Sequence, residues 1–309
     1  MTKRPTTNPP AATPAPAPAS QVFGERRGAP LPLMTQPMVQ VDPTDEGRQT
    51  HVDLPVGMQT IKAETAAVLF GKPTVAIPAQ QRAALAGPPP EIGLTQHHLP
   101  EDKLDRRLAL VIDPDSDRSA AFRVLRHHLL ELGRPQVIVV SSSQPAEGKT
   151  TTAVNIALAL AECNRAKVLL VETHLRRPQL ASVFQLVPPW CFAEQLAAHR
   201  HQPMLPWSLI DIPQLWLHVA AINPRIEKTQ LLDGPAFAIA MERLRLGGYE
   251  HIVVDAPSVL GSADVNLMAD AADAVVLALR ARRSTTRDLR RSIEQIGANK
   301  VAGTVLVQD

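Results

Sequence analysis

Short runs of consecutive apolar residues punctuate the chain from about position 108 onward, each ending at a polar or small-residue loop. Val137–Val140, Lys167–Glu172 (KVLLVE), His251–Val254 and Ala274–Leu279 are the clearest. Unbroken apolar runs of this length predict strands covered on both faces. Leu108–Ile112, Leu215–Ala220 and Val301–Val307 read as further extended segments. Helical spacing lies between them. Arg118–Leu132 places Phe122, Leu125, Leu129 and Leu130 on one face and is ended by Gly133 and Pro135. Thr150–Cys163 is apolar nearly all round, as expected of a helix wedged against a central sheet. Ile226–Leu246 and Thr285–Ile296 complete the helical set. Strands alternating with helices predict an α/β fold, a doubly wound, mostly parallel sheet with helices on both faces.

The first hundred residues carry no such pattern. They hold most of the chain's 29 prolines. Residues 1–105 therefore read as a Pro/Ala-rich, mostly disordered region, with Ala11–Ser20 extended. Thr60–Phe70 and Ala79–Ala86 have the spacing of short helices, and order is expected to begin near Arg106. Residues 106–309 form the second unit. Within it, 179–215 reads as short helices anchored by Trp190, Trp207 and Trp216.

Composition narrows the function classes. A net charge of +2 and 3% aromatic residues give no basic surface with interleaved aromatics, so nucleic acid is not expected. Two cysteines, Cys163 and Cys191, suit a reducing cytoplasm better than a disulfide framework. The N-terminal segment lacks the apolar stretch of a signal peptide, and no run approaches the ~20 apolar residues of a membrane span. The protein is therefore expected in the cytoplasm, held at the inner membrane only through a partner. Cys191, His199 and His201 fit no standard zinc spacing.

The chemistry gathers after Val137–Val140. The strand runs into Ser141-Ser142-Ser143-Gln144-Pro145-Ala146-Glu147 and closes on Gly148-Lys149-Thr150-Thr151, where a helix begins. Strand, small polar loop and helix make a phosphate-binding P-loop. The loop from Pro145 to Thr151 wraps phosphate oxygens with its backbone N–H groups, which begin at Ala146 because proline has none, and the helix directs its positive end at them. Gly148 allows close approach, Lys149 supplies charge to the β- and γ-phosphates, and Thr150 offers a hydroxyl to Mg²⁺. The front of the motif is degenerate, with Ser143 where the full pattern has glycine. Asp255 ends an apolar strand, the position of the carboxylate that holds magnesium opposite Thr150.

The segments PAEGKTT (Pro145–Thr151), Asn155-Ile156-Ala157, VLLVETHLRRP (Val168–Pro178) and YEHIVVDAP (Tyr249–Pro257), with Asp264 following, resemble the bacterial tyrosine kinase family. These are the P-loop kinases of capsule and exopolysaccharide synthesis. Ser119–Leu129 is similar to the family's N-terminal helix, and the resemblance spans about residues 105–309. It also lies near the partitioning and septum-site ATPases. The resemblance implies bound ATP and Mg²⁺, a membrane-spanning polysaccharide co-polymerase as partner, and phosphorylation of tyrosines in a C-terminal tail between subunits of a ring. It implies roles for Lys149, Glu172 and Asp255 in catalysis, for Thr150, Asp255 and Glu172 at the metal, and for Arg176 at the phosphates.

Departures from the family pattern qualify this. Glu172 and His174 stand where the family's second carboxylate motif carries two aspartates. Imidazole is a poor magnesium ligand. Weak turnover follows if Glu172 cannot reach, and aspartate at both positions is then expected to raise it. Arg123 and Arg126 match arginines that the family uses between subunits, but Ala120 replaces the paired glutamate. No tyrosine-rich tail is present, and Tyr249 enters a core strand. The expected function is thus an ATP-binding protein regulating exopolysaccharide polymerisation and export with a co-polymerase, with weak or trans-acting phosphotransfer. The alternatives are a catalytically degenerate nucleotide-binding adaptor and a partitioning-type ATPase. The latter usually carries an extra lysine at the front of the P-loop, which Ser141–Gln144 does not provide.

Overall fold

The computed structural model describes residues 87–100, 102–225 and 234–308. In chain order the elements are β1 (Ile92–Gln96), α1 (Ala109–Ile112), α2 (Asp117–Glu131), β2 (Val137–Ser142), α3 (Lys149–Ala161), β3 (Val168–Glu172), α4 (Leu180–Val183), α5 (Phe192–His201), β4 (Trp207–Ile212), β5 (Leu217–Ala220), α6 (Gly234–Leu246), β6 (His251–Asp255), α7 (Asp264–Ala271), β7 (Ala274–Arg280), α8 (Thr286–Ile296) and β8 (Val301–Val307). The strands form one eight-stranded sheet in the order β1-β4-β5-β3-β6-β2-β7-β8. Every neighbouring pair is parallel except β4 with β5. This is the expected doubly wound, mostly parallel sheet.

The two-sided burial follows from the period of a strand. Val137 and Val139 turn to one face and join Phe237, Met241 and Leu244 of α6 and Val265 and Met268 of α7. Ile138 and Val140 turn to the other and join Ile156 and Leu160 of α3 and Phe122, Leu125 and Leu129 of α2. All residues of β2, β3 and β6 are buried, so polar alternation would leave unpaired groups in one core or the other. Helix α3 lies under β6, β2 and β3 with α2 on its outer side, which explains its apolar circumference. Ser116 caps α2 by accepting from Ser119 N–H, and Thr285 caps α8 by accepting from Asp288 N–H.

Several expectations shift. Order extends ahead of Arg106, because Ile92–Gln96 pairs in parallel with β4 as the edge of the sheet. Leu108–Ile112 is not extended: Ala109–Ile112 is a single helical turn. A five-residue apolar run does not distinguish the two states. Here Asn155 decides: its Oδ1 accepts from Leu110 N–H and its Nδ2 donates to the Arg107 carbonyl. The region 179–215 is not wholly helical, since Trp207–Ile212 forms β4 and turns back antiparallel into β5. Trp207 is fully buried and stacked on His199 with ring centroids 3.7 Å apart, whereas Trp216 is 47% exposed and anchors nothing. Helix α6 begins at Gly234; the first part of the predicted Ile226–Leu246 helix, the predicted helices at 60–70 and 79–86, and the extended segment at 11–20 lie outside the described residues.

At the edge opposite the P-loop, Tyr249 sits just before β6. It is 1% exposed, and its hydroxyl meets His218 Nδ1 at 2.7 Å while the Lys167 ammonium lies 4.6 Å from its ring centroid. Burial, then the charge of Asp211, pushes the phenol well above its ordinary range.

Candidate nucleotide site

The P-loop leaves β2 at Ser142 and turns into α3 at Lys149. Its serines all point inward and are bonded. Ser141 Oγ donates to the Pro257 carbonyl at 2.6 Å, Ser142 Oγ to the Gln144 carbonyl at 2.7 Å, and Ser143 Oγ accepts from Ser292 Oγ at 2.9 Å. Ser143 thus occupies its place without disturbing the loop, because its hydroxyl is absorbed by α8. Ala146 takes φ +64° and Gly148 φ +90°, the left-handed region. For Gly148 the requirement is doubled, since an added Cβ would lie 3.0 Å from Val307 Cγ2.

Helix α3 starts without a side-chain cap. The N–H groups of its first turn therefore remain for an acceptor supplied from elsewhere. Lys149 is only 7% exposed and Thr150 9%. Burial holds the Lys149 ammonium below its usual range; Asp255 and Glu147 pull it back up, and Arg177 opposes them. Glu147 itself is fully buried. Its Oε2 accepts from Gln144 N–H at 2.8 Å and its Oε1 from the Ser284 hydroxyl, so it braces the loop from within.

Asp255 ends β6 with 1% exposure, and neither carboxylate oxygen has a hydrogen-bond partner. Burial, then the charge of Glu172, raises its pKa to about 7; the Thr150 hydroxyl and the Lys149 ammonium draw it down. A buried carboxylate with both oxygens unpartnered is costly unless a cation completes it. The donor set of an Asp carboxylate and a Thr hydroxyl is all oxygen, which suits a hard divalent ion.

Glu172 is placed differently. It is fully buried and stands in register with Asp255 across β3 and β6. Its Oε1 accepts from the backbone N–H of Gln179 and of Leu180 (2.9 Å), and its Oε2 from Ile222 N–H at 3.0 Å. The carboxylate thereby fastens the start of α4 and the end of β5 to β3. His174 is half-buried in the loop that follows, and Arg176 is exposed. Arg177 beside it is the arginine that bears on Lys149, a residue sequence reasoning passed over. Nothing in the dipeptide Arg176-Arg177 distinguishes the two. Pro145, Ala146, Glu147 and Thr151 stand in the loop and first turn as the motif implies, but Glu147 serves through its side chain, a role visible only once Ser284 is beside it.

Arg123 and Arg126 are joined within the chain. Arg123 Nε and an Nη of its guanidinium donate to Glu162 Oε1 at 2.9 and 2.7 Å, and Arg126 donates to Glu162 Oε2 at 2.8 Å and to the Ala159 carbonyl at 2.9 Å.

Together, loop, helix start and strand-end carboxylate define the class: an α/β domain of the P-loop type. No family model matches the chain. The curated relatives it matches are bacterial tyrosine-protein kinases and a succinoglycan biosynthesis transport protein. It is 28% identical over 192 residues to a putative tyrosine-protein kinase, EpsB, of Ralstonia solanacearum, covering 59% of this chain and 24% of that protein. It is 26% identical over 219 residues to the succinoglycan biosynthesis transport protein ExoP of Rhizobium meliloti, covering 67% and 27%. With the tyrosine-protein kinase YwqD of Bacillus subtilis the figures are 22% over 219 residues, covering 66% and 86%. The chain thus spans about a quarter of the length of the first two. Among solved structures, the chimerical protein CapA2B2 superposes with a TM-score of 0.55 at 25% identity, covering 70% of this chain and 93% of that one. The kinase domain of Escherichia coli ETK shares the fold, with a TM-score of 0.53 at 18% identity, covering 68% and 85%. The resemblance first seen in the loop and strand motifs holds: this chain is similar in sequence to bacterial tyrosine kinases and shares the fold of their kinase domains. Among the described residues, no helix is long and apolar enough to cross a membrane.

Proposed function

We propose that this protein binds Mg²⁺-ATP and regulates exopolysaccharide or capsule polymerisation and export together with a membrane co-polymerase, transferring phosphate to a tyrosine on another protein. The observation that supports this reading most is Asp255, a buried carboxylate with two unpartnered oxygens beside Lys149 and Thr150. Lys149 and the backbone from Pro145 to Thr151 bind the phosphates. Thr150 and Asp255 would hold Mg²⁺, which supplies charge neutralisation between the β- and γ-phosphates. Lys149 adds a fixed positive charge in a site largely closed to water, where it acts more strongly than at the surface. Tyr249 cannot be the acceptor, since its phenol is sealed. The experiment is Mg²⁺-ATP titration and labelled phosphate transfer to a co-polymerase cytoplasmic segment, wild type beside Lys149→Ala. Lysine-dependent binding and transfer are expected; absence of nucleotide binding would overturn the reading.

One observation favours a second reading, a nucleotide-binding adaptor that signals by conformation alone. The Glu172 carboxylate is engaged by three backbone N–H groups, whereas both Asp255 oxygens are unpartnered and suit a metal. Lysine-dependent binding without transfer, with the partner present, selects that reading.

A further inference from the structure

The segment from the end of β7 through α8 reads RARRSTTRDLRRSIEQI and carries Arg280, Arg282, Arg283, Arg287, Arg290 and Arg291 against only Asp288 and Glu294. All but Arg280 of these arginines are exposed. Among the described residues, none of those five side chains makes an ion pair or hydrogen bond. Arg287, Arg290 and Arg291 recur at helical spacing and share one face of α8. The opposite face is spent on packing, with Ile296 in the core and Leu289 and Ile293 partly buried against it.

This surface is tied to the P-loop by side chains. An Nη of Arg280 donates to the Ala146 carbonyl at 3.3 Å, Ser284 to the Glu147 carboxylate, and Ser292 to Ser143 Oγ at 2.9 Å. Strands β2 and β7 are parallel, so the P-loop and the start of α8 leave the sheet at the same rim. A chain lying on these arginines is therefore within reach of the nucleotide loop. Guanidinium groups pair with carboxylates in a planar, two-pronged geometry. The segment has no aromatic side chain on which a base would stack. It has no exposed apolar residue to enter a bilayer.

We infer that the arginine face of α8, with the turn before it, docks an acidic polypeptide segment and presents its phosphoacceptor to the P-loop. This rests on the kinase reading above and names the class of its protein substrate: a tyrosine flanked by glutamate and aspartate.

The test is fluorescence anisotropy on the full chain, using a labelled peptide with one tyrosine among glutamates and a matched peptide in which lysines replace the glutamates. Nucleotide binding is followed separately with a fluorescent ATP analogue. Wild type is expected to prefer the acidic peptide, with affinity falling as salt rises. The triple variant Arg287→Glu/Arg290→Glu/Arg291→Glu should bind it about tenfold more weakly or worse, with nucleotide binding unchanged. Alanine at the same three positions should give a smaller loss in the same direction, which keeps the test open if the reversed charges unfold α8. Equal binding of both peptides, or equal binding by wild type and variants, would overturn the proposal. So would capture of anionic lipid vesicles or duplex DNA through these arginines at physiological salt that the acidic peptide does not displace. Failure of wild type to bind nucleotide strikes the kinase reading and leaves the peptide result to be read by itself.

Discussion

Glu172 and Asp255 face each other in register on adjacent parallel strands, one carboxylate holding three backbone N–H groups and the other holding none. Two buried carboxylates a strand spacing apart repel one another, and the unpartnered one responds by keeping its proton. Glu172 is the second-largest cause of the raised Asp255 value, after burial. The asymmetry divides the pair: Glu172 holds the fold, and Asp255 keeps two unpartnered oxygens.

Asp255 makes the nucleotide-free protein pH-sensitive in a defined direction. Its pKa rises from an ordinary 3.8 to about 7 on folding. Between those values the folded state binds more protons than the unfolded, so stability falls as pH rises from about 4 to about 7. Asp255→Asn should remove that slope, raising the melting temperature at pH 7.5 while weakening Mg²⁺-dependent nucleotide binding. A lower melting temperature for the variant would contradict the assignment.

Binding of Mg²⁺-ATP near neutral pH should release protons, because a cation at Asp255 favours its ionised form. Calorimetry in buffers of differing ionisation enthalpy measures the number directly. The release should disappear in Asp255→Asn. Proton uptake in wild type would be the contrary result.

Glu172→Asp is expected to lower stability rather than improve turnover. The shorter side chain cannot reach Gln179, Leu180 and Ile222 N–H together, and hydrogen bonds to a charged group are worth roughly 1.5–3 kcal/mol each. A loss of about 2 kcal/mol or more in urea denaturation should follow. The expectation drawn from sequence is that aspartate at both Glu172 and His174 raises turnover; the backbone bonds held by Glu172 argue against the first of those changes.

Glu162→Ala should cost about 1 kcal/mol or somewhat more, since one carboxylate serves two arginines in a partly exposed network. Arg123, through its hydrogen bond, is the largest cause holding Glu162 below its ordinary 4.5. That contribution is full above the unfolded value and is lost as pH falls through the lower folded one. Sedimentation would show whether the arginines, once released, bring two chains together; in wild type they are engaged in cis.

Ala146→Gly should leave the loop intact and stabilise it slightly. A non-glycine residue at φ +64° costs roughly 1–2 kcal/mol, offset in part by the larger unfolded entropy of glycine. A net gain of up to ~1 kcal/mol in denaturant unfolding is expected. A clear loss would mean that the Ala146 methyl makes a contact worth more than the strain.

What the sequence made legible was the part written in consecutive residues. Strands β2, β3, β6 and β7 are near-continuous apolar runs because both their faces are covered. The P-loop is read for the same reason, its strand, loop and helix being contiguous. Edge strand β1 was hidden because four of its five residues are exposed and so need no apolar signature. Strand β4 was hidden by the prolines and tryptophans around it. The bracing of the site is non-local. Glu147 and Ser284 lie 137 residues apart, and Arg123 and Glu162 lie 39 apart. No pattern along the chain announces such pairs. Glu172 could be recognised as a departure from two aspartates, but its three backbone donors come from two other segments of the fold.

The single tyrosine, closed in against His218 and Lys167, has a practical consequence. In a reaction mixture this chain is a blank for phosphotyrosine. An antibody signal, or label on a phenol, would then mark another protein in the mixture, with no background from this chain to subtract. The chain can therefore be added in excess over a candidate substrate and the answer read in one lane.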